Sequence, residues 1–582
     1  SVNGENKVIG KEYTLKLSNL EQLQIKDGEN YLDYSGVITV AIPADKMADT
    51  TGNTNTDKTI TSGVNIPGGT GTGTVVDVVD PFIERKEASA NAVEKTAMIK
   101  FNVTDKYFKA STITKNNIKV YVNGEESSTA SIDTFTSTEL KEQVSSGNTT
   151  TTVKYGVQYT VTIKGFDTNV NQVKLKIPAG LVSDNSGNVN KETDLIAYTV
   201  LKQTDTETKA TSAFLGNTKI QRQNIDSITF ENSIPADVGY DETTQAYKNS
   251  TTWDVSAEQD KSILAWYTTN GNGTLKVYIG SDDEIFANRN SSYLFAYIGR
   301  GDKSTSQETI TNINRLNVNY VTNMQAMFFA TGYKAMTSLD LGNAFKTDNV
   351  TNMDSMFMFT GYEAMTSLKL ESNFNTSKVT NMKSMFNSTG YTKMTALDLE
   401  DKFNTSIVTD MSSMFNDCGQ KAMESLNIRE KFDTSSVTDM SNMFNGCGKA
   451  EIKQFDLGSK FNTINVRNMS NMFQGFGQSK LTSLDLGDKF NTSNVTDMVK
   501  MFNDCGSTLM TVLDLGAEFT TIPEGAIAQK TNTTVDSLGN STTSIISAHN
   551  TYDDMFKNCG ITNIIVYAPE SIYSSRTAFK TK

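Results

Sequence analysis

From Val321 to Val566 the apolar and polar positions of the chain repeat as one phrase. It reads V-T-N-M-x-x-M-F, then a glycine, then L-D-L, then a phenylalanine before the next valine. The valines are Val321, Val350, Val379, Val408, Val437, Val466 and Val495, each 29 residues beyond the last. An eighth, degenerate copy follows an insertion over 517–551, with Met555 and Phe556, then Ile564, Ile565 and Val566. A unit this short cannot bury its own core, so neighbours must stack, and 321–567 reads as a solenoid.

The pattern inside one unit predicts its shape. Met498, Met501 and Phe502 stand at i, i+3 and i+4, which is one face of a short helical turn. Asn or Asp precedes the first methionine in all seven units, from Asn323 to Asp497, and suits a helix N-cap. The glycines from Gly332 to Gly506 suit the residue that ends such a helix. Leu513-Asp514-Leu515 and its equivalents alternate apolar and polar, so each unit should add one short strand to a parallel sheet. Phe519 and its equivalents then turn back into the core.

The first two hundred residues have a different period. Tyr13 to Leu17 and Tyr159 to Lys164 alternate with period two, and both lead to an I-P-A phrase and a turn rich in Asp, Gly and Asn, at 42–55 and 177–190. Residues 84–205 have the length of a β-sandwich. Residues 1–83 carry too little chain before Tyr13 and read as a truncated copy. Val75 to Pro81 reads as an interdomain strand and hinge. Residues 206–320 read as a linker followed by a cap, because an open first coil would leave its core in water. That segment holds Trp253, Trp266 and the apolar Tyr293-Leu294-Phe295. Residues 568–582 form a C-terminal tail.

Composition narrows the function. With 53 Lys+Arg against 66 Asp+Glu, a net charge of -13, the chain lacks the basic footprint of a nucleic-acid binder. Four cysteines in 582 residues do not make a disulfide scaffold. No stretch approaches the ~18 apolar residues of a membrane span. The chain reads as a piece of a longer one whose targeting signals lie outside it.

The phrase N-V-T-N-M-x-x-M-F, L-D-L, F-N-T-S-N-V-T-D-M resembles the BspA-like leucine-rich-repeat surface proteins of bacteria, and the lead-in from Trp253 to Phe295 resembles that family's lead-in. The earlier D-x-x-G-N turns resemble bacterial immunoglobulin-like repeats. The fold so implied is mainly β: immunoglobulin-like β-sandwich domains, then a leucine-rich-repeat solenoid of 29-residue coils, each a short parallel strand plus a short helical turn. The resemblance implies display at the bacterial cell surface and adhesion to an extracellular protein or glycan. The alternative is a structural subunit of a surface lattice or filament, built by self-association.

Catalytic signals are few. The only histidine, His549, has no nucleophile motif nearby, and neither a zinc motif nor a P-loop is present. The chain reads as a non-enzyme. Cys418, Cys447, Cys505 and Cys559 share the slot before the glycine and read as buried thiols. No cofactor is required; calcium is a candidate ion at the turn holding Asp184 and Asn188, echoed by Asp49 to Asn53. Two rows are candidate ligand surfaces. One is the outward residue of L-D-L, represented by Asp340, Asp398, Asp456, Asp485 and Asp514. The other is the tyrosine after the glycine in the first three units, Tyr333, Tyr362 and Tyr391. A solvated polar face and a self-stacking aromatic ladder are the plainer readings of the same rows.

Overall fold

A computed structural model describes residues 80–519 apart from 92–94, 106–107, 147–148, 167–170, 186, 204–211 and 242. It also describes 555–560 and strand segments at 25–27, 30–32, 34–42, 58–66, 531–535, 541–545, 565–568 and 580–581. Tyr13 to Leu17, Asp49 to Asn53, Val75 to Val79, His549 and Ile564 fall outside these. The chain is mainly β, and helix among the described residues is confined to two three-residue 3-10 turns, Arg222–Asn224 and Ile313–Arg315. None is long and apolar enough to cross a membrane. The chain divides into two compact units, Ser1–Tyr198 with Ile234–Ser250, and Thr199–Ser233 with Thr251–Lys582.

In the first unit, Tyr34–Ile42 pairs antiparallel with Lys58–Ile66. A four-stranded antiparallel sheet follows in the order Ser131–Ser146, Thr149–Lys164, Thr96–Thr104, Phe82–Asn91. Alternation works as expected here: Ala97, Ile99, Phe101 and Val103 are buried and the residues between them are half-buried. A second sheet contains Gln172–Ile177 paired with Lys119–Val122, and it buries Val173, Leu175 and Ile177.

In the second unit a five-stranded mixed sheet comes first. It is ordered Trp253–Asp254, Leu264–Thr269, Leu275–Gly280, Ile225–Glu231, Ile310–Thr311. The 29-residue repeats then lie side by side, parallel and in register. Bridges run from Asn323 to Asn352, on to Asn381, and repeat by repeat to Asp497. Leu339 sits opposite Leu368, Leu397 opposite Leu426, and Leu484 opposite Leu513, which faces Val566 of the eighth copy. Every methionine and phenylalanine of the phrase in the seven regular repeats is buried, and Phe295, Phe328, Phe357, Phe386, Phe415, Phe444, Phe473, Phe502 and the half-buried Phe556 form one column with centroids 5.3 to 5.6 Å apart.

The helical turn does not form. A helix would send each amide to the carbonyl four residues back. Instead Met324, Ala326, Phe328 and Ala330 donate to Asn352, Asp354, Met356 and Met358 of the next repeat, at 2.8 to 2.9 Å. The intervening amides close three-residue turns, as Met327 does onto Met324 and Phe329 onto Ala326. To point alternate amides outward, Ala326 and Ala330 take left-handed φ of 51° and 53°. Asn323 still acts as a cap, but of a turn: its Oδ1 accepts the amide of Gln325 at 3.0 Å, and the six later Asn and Asp residues do likewise.

Residues 290–299 form a further rung before the first repeat. The amides of Ser291, Tyr293, Phe295 and Tyr297 donate to Asn323, Gln325, Met327 and Phe329 at 2.8 to 3.0 Å. The expected apolar anchor at Tyr293-Leu294-Phe295 is therefore a degenerate repeat, N-S-S-Y-L-F ending at Gly299. Buried Arg222 fastens it, with Nη1 donating to the carbonyls of Tyr293, Leu294 and Ala296.

Candidate functional site

The strand-bearing wall carries the aspartate row, and the turn chemistry explains much of it. In Asp340, Asp456, Asp485 and Asp514 the carboxylate accepts the amide two residues on, at Gly342, Gly458, Gly487 and Gly516, over 2.8 to 3.1 Å. Those glycines have φ of 68° to 76°, a region where glycine pays no Cβ penalty. Aspartate followed two residues later by glycine is thus a turn closure repeated down the stack.

Two members also meet cations. Lys369 of the next repeat reaches Asp340 at 3.5 Å. Arg429 grips Asp398 through Nε at 2.7 Å and through Nη2, with Asn427 adding an amide at 3.3 Å. Burial raises the Asp398 pKa, yet Arg429 and the Glu400 amide outweigh it and hold the carboxyl below the usual range. The five aspartates therefore do not gather into one cluster. Asp340 and Asp398 are neutralised in place, while Asp456 and Asp485 stand exposed one repeat apart with Asp514 half-buried beyond them.

The tyrosines are brought together. Tyr333 stacks on Tyr362 at 4.7 Å and 3°, and Tyr362 on Tyr391 at 4.5 Å and 11°. Both ends are covered: Arg300 and Lys334 lie over Tyr333, and Lys421 over Tyr391. The Tyr391 hydroxyl donates to Gln420 at 2.5 Å. Burial, followed by the neighbouring phenols, pushes Tyr362 up to about 12. With their faces occupied, the rings offer a ligand edges and hydroxyls rather than a stacking platform.

The slot before the glycine is interior. Thr331, Thr360 and Thr389 there donate to the carbonyls of Phe295, Phe328 and Phe357 at 2.7 Å. Cys418, Cys447 and Cys505 fill it in later repeats, fully buried, and all four cysteines are free. Burial pushes the Cys418 and Cys447 thiols up.

At the calcium candidate, Asp184 and Asn188 are buried against each other. The Asn188 amide donates to Asp184 Oδ1 at 2.7 Å and its side-chain Nδ2 to Oδ2 at 2.6 Å. The carboxylate is spent on its own turn, and no group of three metal-ligating side chains occurs among the described residues.

Repeat five departs from the rest. Its strand phrase is Phe455-Asp456-Leu457 in place of L-D-L, and no strand forms there. Phe476 of repeat six fills the small-residue slot and is fully buried, its ring 5.1 Å from Phe455 and 6.0 Å from Phe444. The space beneath the strand is thus taken, and Phe455 is left half-buried. An open groove of about 780 Å³ lies over the interruption, lined by Glu424, Ser425, Lys453, Gln454, Ser479 and Leu509 among others. None of these lining residues belongs to the aspartate or tyrosine rows read from the sequence. The signal for the groove was two phenylalanines where the phrase elsewhere has leucine and a small residue.

Residues 302–425 and 419–512 match a family described as Mycoplasma protein of unknown function, DUF285. The chain is similar to that family over those residues, which make up less than half of its length. Neither a curated protein nor a solved structure matches. The resemblance to BspA-like leucine-rich-repeat surface proteins preceded by bacterial immunoglobulin-like repeats is thereby overturned. The similarity found is to the Mycoplasma family, and the repeats lack the helix that the resemblance implied.

Proposed function

We propose that the chain is a non-catalytic adhesin of a bacterial cell surface. On this reading the 29-residue repeats wind into one solenoid. The segment 84–205 is an immunoglobulin-like sandwich carried with it. The solenoid's strand-bearing face binds an extracellular protein or glycan. The observation that carries the reading is the division of labour within the phrase. Most of its inward residues, above all the Met-x-x-Met-Phe set, are the same from repeat to repeat, while the outward ones on the strand wall change along a regular polar scaffold. A shallow, extended surface of that kind suits a macromolecule better than a small substrate, which needs a deeper pocket. The tyrosine row is a poorer platform because its ring faces are already covered.

The test is retention of the purified chain on immobilised extracellular-matrix proteins and on a glycan array. Asp456→Ala/Asp485→Ala/Asp514→Ala is then compared with Tyr333→Ala/Tyr362→Ala/Tyr391→Ala. Weakened retention in the aspartate triple variant is expected. Full retention there, with loss in the tyrosine variant, would move the site off the strand face. Concentration-dependent self-assembly with no retention on any surface would favour a lattice subunit.

A further inference from the structure

We infer that the groove over the interrupted strand of repeat five binds a short, uncharged oligosaccharide. The inference rests on the strand-face reading above and names one ligand class for it. It starts from the break in the pattern. In every other repeat the strand phrase is satisfied by its neighbours, but here Phe476 occupies the interior and repeat five adds no strand. Mostly polar residues there border an open, shallow groove of about 780 Å³ along the wall.

The chemistry of the lining selects the occupant. Among the described residues the side chains of Ser425, Lys453, Gln454 and Ser479 have no internal hydrogen-bond partner. Together they present two hydroxyls, an amide with both donor and acceptor, and an ammonium. Glu424 adds an acceptor beside them. Leu509, 48% exposed at the rim, is the one apolar residue of the lining and, with the aliphatic stems of its neighbours, suits the C–H face of a sugar ring. Charge argues against an ionic ligand. Lys480 is already paired with Glu451, and Lys453 stands in the same outward row as Glu424 one repeat away, so the groove is electrically balanced. A ligand rich in hydroxyls and free of charge meets these groups without leaving one of its own charges unpaired.

The test uses the full chain and a panel of neutral tetrasaccharides of glucose, galactose, mannose and N-acetylglucosamine, read by saturation-transfer NMR and by titration at 50 and 500 mM salt. At least one tetrasaccharide should bind, with an affinity that salt barely changes. Ser425→Ala/Gln454→Ala should weaken it at least tenfold. Both residues are exposed, so its melting profile should match the wild type. Lys115→Ala, exposed in the first unit and outside the repeats, should bind normally. The inference fails if no neutral tetrasaccharide binds, if the double variant binds as well as the wild type, or if only acidic peptides bind and salt abolishes that binding. If the double variant still adheres to matrix or array surfaces like the wild type, this groove is wrong while the adhesin reading stands. Absence of wild-type adhesion to every surface would count against the adhesin reading itself.

Discussion

Tyr362 shows how much the stack imposes on a single side chain. Its ring lies between Tyr333 and Tyr391, and burial and the two neighbouring phenols push its pKa up to about 12 from an ordinary value near 10. A phenol whose folded pKa is raised contributes stability that is fully present below its unfolded pKa and fades as pH climbs through the folded one. The loss attributable to Tyr362 should therefore fall between about pH 10 and 12. Tyr362→Phe keeps the stacking but cannot ionise. Between pH 8 and 12 the melting temperature of the wild type should drop further than that of Tyr362→Phe, with the gap opening only above about 10. Parallel curves across the whole range would show that Tyr362 is solvated. The left-handed residues report the same coupling. Ser355, Ser384 and Ser413 hold φ of 53° to 57°, a conformation that costs roughly 1–2 kcal/mol for a residue with a Cβ. Each is held there by a hydrogen bond of 2.8 to 2.9 Å that its backbone amide donates to a carbonyl of the next repeat.

At the scale of one repeat, the phenylalanine column is the main apolar support. Phe415 is fully buried and stacks on Phe386 and Phe444, both at 5.5 Å. Phe415→Ala removes a ring with two stacked partners inside a rigid column, and such truncations cost about 3–5 kcal/mol. Urea unfolding of the second unit should shift by that amount; a negligible shift would mean the neighbours collapse into the gap. The repeat's length, its buried residues and its strand were all legible, because period and alternation report which side chains face inward. The turn segment was misread for the same reason. Apolar residues at i, i+3 and i+4 reach one side of a helix and also one side of a chain of tight turns. Side-chain pattern does not record whether an amide bonds four residues back or across to the neighbouring repeat. The rung at 290–299 was missed because only Asn290 and Phe295 keep the residues of the phrase, with Ser291 and Leu294 standing where the two methionines do elsewhere. On the candidate site, the aspartate row was visible but its turn-closing role was not, since that depends on φ at the glycine two residues on.

Over the whole array, stability is a chain of nearest-neighbour interfaces, so the weakest interface governs where it opens. Repeat five is the candidate. Strand pairing joins repeats one and two, then three and four, then six, seven and the eighth copy, leaving the fifth without a strand. Phe476, in the slot of the next repeat, lacks the hydroxyl by which Thr360 and Thr389 bind the preceding repeat's phenylalanine carbonyl, but so do Cys418, Cys447 and Cys505, so the missing strand is what sets the fifth repeat apart. Hydrogen exchange followed by mass spectrometry should thus find the amides of 453–457 the least protected of the seven strand positions. Restoring the phrase with Phe455→Leu/Phe476→Thr should reverse this. Leucine fits the inward position, and threonine can donate to the Phe444 carbonyl as its counterparts do elsewhere. Protection across 453–457 should then rise toward that of 425–427 and 483–485, and the groove should narrow as the wall closes. Equal protection in wild type and double variant would place the cause of the interruption elsewhere than these two rings. Lower protection in the variant would mean that the Phe444, Phe455 and Phe476 cluster strengthens the array at this point instead of interrupting it.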